Sequence, residues 1–244
     1  MSEHKGKQKS STLSKSRFIN GLQCSKRLYL ETYHRELATP PTTAQQRIFD
    51  IGHTVGELAC RQFPEGVLVE DDFRQPDRAL EHTRELLQQG TPVLFEPAFL
   101  SDGIFVRVDI LHQRIDETWN IIEVKSTTKT SDTHIADSAV QRYAVEGAGL
   151  DVSGVYLMHL NRQCRYPDLQ NLFELDDITK ETERVWAILH PKVAEFHSIL
   201  QLSEAPDVRI GKHCLRPYEC PFMDYCWEEV KEPCIFSIPR ISAQ

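Results

Sequence analysis

At 244 residues, with 40% hydrophobic and 26% charged side chains, the chain is long enough for one large domain or two small ones and needs no cross-links to bury a core; nothing in it points to a fibrous class. The formal charge of −8 rules out holding a nucleic acid through the global field, although residues 1–31 hold seven Lys or Arg against two Glu, so an anionic partner has to be met by local basic patches. No apolar run approaches the roughly 20 residues of a membrane-spanning helix, and the N-terminus lacks the apolar core of a secretory signal, so the expectation is a cytoplasmic protein with no membrane partner.

Residues 1–12 are polar and basic and are expected to be a disordered tail. The stretch "LSKSRFINGLQCSKRLYLE" alternates apolar and basic positions, which predicts a short helical segment bringing Cys24 together with Lys26 and Arg27. After "ATPPTT", a helix start, Ile48, Ile51, Val55, Leu58 and Ala59 recur at helical spacing, while His53, Glu57 and Arg61 lie four apart on another face. A second helix spans about 77–89 and stops at Gly90. Three strand-like runs follow, "PVLFEPAF", "GIFVRVDILHQ" and "WNIIEVKS", separated by turn residues. Helical patterning returns over about 132–148, "SGVYLMHL" reads as a strand, and residues 178–200 read as a helix that Pro191 kinks or restarts. Helix, three strands, helix, strand is a mixed α/β order, and no Gly/Ser linker divides it.

The chemistry concentrates in two places. In "FVRVDIL" alternation puts Phe105, Arg107, Asp109 and Leu111 on one strand face, and in "IIEVK" it puts Ile121, Glu123 and Lys125 on one face. If these strands are neighbours, Asp109 and Glu123 converge. Two carboxylates suit a hard cation such as Mg²⁺, which polarises a phosphoryl oxygen and acidifies bound water. A solvated polar strand face is the plain alternative. The second place is "CLRPYECPFMDYC": three of the seven cysteines, Cys214, Cys220 and Cys226, fall in thirteen residues, which in a reducing compartment reads as metal or iron–sulfur ligation. Cys60 and Cys164 read as plain buried cysteines.

Asp109, thirteen intervening residues and then Glu123-Val124-Lys125 resembles the PD-(D/E)XK nuclease signature, with Val108 in place of the proline. Gln141 in "DSAVQRYAVEGAGL" matches the glutamine of the RecB-like branch, although Tyr143 follows two residues later where that branch often has a tyrosine four later. The branch's metal-binding histidine departs: "GHTVGE" puts Gly56 there, leaving His53 or Glu57 to supply the ligand. Cys24 ahead of these motifs and three cysteines behind them resemble the iron–sulfur subgroup, which includes CRISPR-adaptation exonucleases and the AddB type; the gap from Cys214 to Cys220 is wider than usual there, and Cys234 is a possible substitute.

The resemblance implies a restriction-endonuclease-like core, a mixed central sheet flanked by helices, in one nuclease domain over residues 13–235 with a tail at 236–244. The catalytic core would cover about 42–160, and a [4Fe-4S] cluster on Cys24, Cys214, Cys220 and Cys226 would join segments 15–31 and 211–234; a structural Zn²⁺ is the competing occupant. It further implies Mg²⁺ or Mn²⁺ on Asp109, Glu123, the Val124 carbonyl and His53 or Glu57, with Lys125 and Gln141 acting on water or substrate. The expected partner is DNA, at its ends or as single strands, gripped by Lys15, Arg17, Lys26 and Arg27, with a helicase or other DNA-processing protein as a further partner. The rival expectation is a catalytically weak or inactive binding module of the same fold, motivated by Gly56.

Overall fold

The computed structural model describes residues 12–70, 75–228 and 230. The expected tails at 1–12 and 236–244, apart from Thr12, and Cys234 lie outside them. The chain divides into two compact units, residues 41–190 and residues 1–40 with 191–244.

In the second of these, a two-residue strand β1 (Leu13–Ser14) leads into α1 (Lys15–Gln23), and α2 (Ser25–Tyr33) follows. The Ser14 hydroxyl caps α1 by accepting from the Arg17 N–H at 3.3 Å. The single helical segment expected here is two helices because Cys24 is extended, ending one helix and starting the next. The core is Phe18 edge-on to Phe196 at 5.1 Å between ring centroids. Gly21 lies under that ring, where a Cβ would come within 2.9 Å of it. Leu28, Tyr29 and Leu30 are buried beside it, and the Tyr33 hydroxyl donates to the Leu200 carbonyl at 2.5 Å. Near the C-terminus, α7 (Met223–Trp227) is tied back by Thr39, which donates through its N–H to the Pro221 carbonyl at 2.8 Å and through its hydroxyl to Asp224 at 2.7 Å.

The 41–190 unit begins with α3 (Thr43–Cys60), whose start is a capping box between Thr42 and Gln45. Only the C-terminal turns of α3 pack: Val55 and Ala59 are buried, whereas Ile48 and Ile51, expected on the same apolar stripe, are 60% and 54% exposed. Then come β2 (Val67–Leu68), α4 (Pro76–Gln88), β3 (Val93–Phe95), β4 (Ala98–Ser101), β5 (Ile104–Arg107), β6 (Ile110–Gln113), β7 (Trp119–Lys125), α5 (Asp132–Gly147), β8 (Val152–Leu160) and β9 (Phe173–Asp177). Six strands form one mixed sheet in the order β2-β3-β6-β7-β8-β9; β7 and β8 are parallel, joined by α5, while β6 and β7 are antiparallel. One face of the sheet holds Val93, Phe95, Ile110, Ile122 and Met158 against Ala59 of α3.

Two of the three expected strands are each broken in two. Glu96 has φ 54° and Pro97 follows it, so the ladder is interrupted there; proline has no N–H to give. The chains stay in register across the break through Glu96 N–H to the Asp109 carbonyl (3.1 Å) and Val108 N–H to the Pro97 carbonyl (3.0 Å). Beyond it, β4 and β5 close in a hairpin over Asp102 and Gly103, both at positive φ, the signature of a tight two-residue turn. Helix α6 (Thr179–Leu200) continues through Pro191 as one element, so the proline does not restart it. Its buried residues Leu189, Val193, Phe196 and Leu200 keep helical spacing across the proline. Among the described residues no helix is long and apolar enough to cross a membrane.

Candidate active site

The β6–β7 register pairs Ile110 with Ile122 and Leu111 with Ile121, so one step further sets Asp109 opposite Glu123. Asp109 sits at the strand break described above, and its Oδ2 accepts the Val124 N–H at 2.7 Å. Glu123 is 1% exposed. One of its carboxylate oxygens takes the Lys125 ammonium at 2.5 Å, the other the Gln141 side-chain N–H at 2.5 Å. Lys125 also donates to Asp137 at 3.1 Å. Alternation explains the arrangement: Glu123 and Lys125 point to the α5 side of the sheet, and Asp137 and Gln141, one turn apart on α5, meet them.

Burial works to lower the Lys125 pKa, but Glu123, Asp137 and Asp109 outweigh it and raise it. Lys125 is therefore a fixed cation at neutral pH, suited to stabilising negative charge and unsuited to taking a proton. His134, one turn before Asp137, has its pKa lowered by burial first and then by Lys125, against the pull of Asp137 and Glu123, so it is held neutral. Three buried polar atoms on this face of α5 have no hydrogen-bond partner among the described residues: His134 Nδ1, Ser138 Oγ and Gln141 Oε1. Buried groups of this kind are ordinarily satisfied, by protein, water or ligand.

Asp137 and His134 escaped the sequence reading, although their signal was present: 134, 137, 138 and 141 trace one helical face. His159 and Asp176 were missed for another reason. The parallel pairing of β7 with β8 puts His159 beside Lys125, and β9 brings Asp176 within 3.1 Å of the His159 Nε2. The Ser and Thr run after Lys125 joins the same cluster, since the Thr130 hydroxyl donates to Asp176 at 2.5 Å. Tyr143, two residues beyond Gln141, lies about 200° round the helix. It bonds Asp102 and stacks on Trp186 at 4.2 Å, and burial with that hydrogen bond pushes its pKa up to about 12.

On α3, burial raises the pKa of the Cys60 thiol, and the carboxylates of Glu96, Asp109 and Glu57 raise it further. Glu57 is exposed. His53 is exposed, and Gly56 faces open space. As placed, no three His, Cys, Asp or Glu side chains among the described residues form a group spaced to hold a metal ion. The donor set of Asp109, Glu123 and the Val124 carbonyl is all oxygen, which fits a hard divalent cation.

The cysteine residues form a second constellation, inside the unit built from residues 1–40 and 191–244. Cys24, Cys214, Cys220 and Cys226 line one cavity, with Lys26 and Arg27 on its wall. All four are free thiols. Cys214 is buried, and its sulfur accepts the Gly211 N–H at 3.5 Å. Burial raises the Cys220 and Cys226 pKa values and the other thiols add to this, while Arg27 opposes it at Cys220 and Lys26 at Cys226. Four soft sulfur donors around one cavity suit a thiolate-bound metal or cluster by their donor chemistry, although as placed they are not spaced to hold one. Cys60 and Cys164 are half-buried rather than core residues. Of the other basic candidates, Lys15 and Arg17 are both half-buried on α1, and Arg17 donates to the Thr12 carbonyl at 3.1 Å.

No protein-family model and no curated protein matches this chain. Among solved structures it is similar to SSO0001 at 12% identity, over 95% of this chain and 90% of that one, with a TM-score of 0.42. It is similar also to an alkaline exonuclease from Laribacter hongkongensis at 12% identity, over 78% of this chain and 88% of that one, TM-score 0.39. The same exonuclease in complex with dAMP matches at 14% identity and TM-score 0.45 over 78% of this chain and 88% of that one. These likenesses are faint, and nothing about the chemistry of this chain follows from them.

Proposed function

We propose that the chain is a divalent-metal-dependent deoxyribonuclease acting as an exonuclease on DNA ends or single strands, in repair, recombination or CRISPR-related processing, with a helicase or similar protein as a further partner. The observation that supports it is the joint placement of Asp109, Glu123, Lys125 and Gln141: a carboxylate pair, a cation fixed in charge and a buried amide on one carboxylate. Asp109, Glu123 and the Val124 carbonyl would hold Mg²⁺ or Mn²⁺, with His53 or Glu57, both exposed on α3, completing the set. The metal, when bound, polarises the phosphoryl oxygen and acidifies water.

The protein's own groups supply the rest. Lys125 stabilises negative charge gathering on the phosphate. Gln141 orients Glu123 with its N–H and offers its unpartnered oxygen to a water proton. Asp137 holds the Lys125 ammonium in place. In the cysteine cavity, Cys24, Cys214, Cys220 and Cys226 would hold a [4Fe-4S] cluster, or Zn²⁺, as a structural clamp.

Purified protein incubated with Mn²⁺ and end-labelled single- and double-stranded DNA tests this. Cleavage by the wild type, lost in Glu123→Gln and in Lys125→Ala, is the expected result. Absence of cleavage with every divalent metal, while DNA is still bound, would establish instead the non-catalytic module that the open space at Gly56 favours.

A further inference from the structure

Two of the basic residues expected to grip DNA line the cysteine cavity. Arg27 in particular is immobilised. Its Nη1 donates to the Gln23 side-chain oxygen Oε1, and the Gln23 side-chain Nε2 in turn donates to the backbone carbonyls of His213 at 2.6 Å and Tyr218 at 2.7 Å. Gln23 thus pins the guanidinium to the segment that carries Cys214. The Nε–H of Arg27 is buried and has no partner among the described residues. Glu31, the other anion close to Arg27, ion-pairs with Arg35 one turn on, at 3.7 Å.

Resting on the reading of the cavity as a metal or cluster site, we propose that Arg27 donates its Nε–H to the cysteine sulfurs there and balances their charge, and is not a phosphate contact. Four thiolates around a divalent cation, or around a dipositive cluster, leave two negative charges inside the protein. Lys26 and Arg27 are the two cations on that wall. Sulfur ligands are held and tuned by N–H donors of this kind, and the partners that orient ligands are commonly worth about ten- to a hundred-fold in metal affinity. A guanidinium clamped in this way is also poorly placed to reach for a strand in solvent. Burial lowers the Arg27 pKa, while the Cys220 and Cys24 sulfurs and Glu31 raise it.

The test uses full-length protein purified anaerobically. Iron and zinc content, the half-time of metal loss to a chelator, and DNA affinity as a function of salt are measured for wild type, Arg27→Met, Arg27→Lys, Gln23→Leu and Arg17→Met. Arg27→Met is expected to lose metal about ten-fold faster than wild type. Arg27→Lys, which keeps the charge and lacks the Nε–H, should fall between them, as should Gln23→Leu, which frees the guanidinium. Arg17→Met should leave metal retention unchanged and weaken DNA binding. Metal loss within two-fold of wild type in Arg27→Met, with the salt dependence of DNA binding reduced by about one, overturns the proposal. If Arg27→Met does not fold, unchanged retention in both Arg27→Lys and Gln23→Leu overturns it equally. Wild type devoid of metal shows instead that the reading of the cavity is wrong, an outcome seen without any variant.

Discussion

Lys125 carries the electrostatics of the candidate active site, because it stands between a carboxylate that is almost wholly buried and a second one on α5. Removing one partner of a buried pair leaves the other uncompensated, at about 3–5 kcal/mol. Lys125→Met should therefore destabilise the fold by several kcal/mol, and Lys125→Met with Glu123→Gln should recover part of that loss; urea unfolding of the three variants, read as a double-mutant cycle, checks it. Additive losses would show that the pair is not coupled. His134 gives a pH signature. Its folded pKa lies below the ordinary 6.5, so the unfolded chain binds more protons in the window below that value. Stability should fall as pH drops through about 6.5 towards the folded pKa, and rise to a plateau above it. Melting temperatures of wild type and His134→Gln between pH 5 and 8 should diverge on the acid side only.

The break at Glu96–Pro97 and Asp109 is the feature of the elements with most bearing on the site, since it ends the β3–β6 ladder at Asp109. The hairpin beyond it depends on Gly103, whose φ of 73° suits glycine. Gly103→Ala should cost about 1 kcal/mol in urea unfolding, and a cost near zero would show that the turn relaxes. Most elements were legible in the sequence because apolar periodicity survives in them. The break was not, because Val106, Val108 and Ile110 continue to alternate straight through it; only Pro97 betrayed it. Strand β9 carries little alternation, being mostly exposed at the sheet edge, and so offered no pattern to read. On α3 the reverse holds: apolar spacing at Ile48 and Ile51 promised burial that the structure does not give.

For the whole molecule, the residues that meet at the candidate site were readable where strand alternation or motif spacing pointed to them, as with Asp109, Glu123 and Lys125. Asp176 was not, because it reaches the site only through β8–β9 pairing. The cysteines could be grouped from spacing, whereas Arg27 beside them could be assigned only once its neighbours were known. If the cavity holds metal, Cys24→Ser should lower the melting temperature of metal-loaded protein, with closure of so long a loop worth up to about 5 kcal/mol by the chain-entropy account. Equal melts for Cys24→Ser and wild type would remove the clamp from the description. The pairing of the first 40 residues with residues 191–244 in one compact unit bears also on how the protein is made. On the ribosome, residues 41–190 are complete while the partner of the first segment has yet to be synthesised. At about 5–20 residues per second, Cys24 waits roughly ten to forty seconds for Cys214 to emerge. During that interval α1 and α2 present Phe18, Leu28 and Leu30 without the Phe196 and Leu200 that are buried in the finished protein, so the nascent chain exposes apolar surface that the finished protein covers.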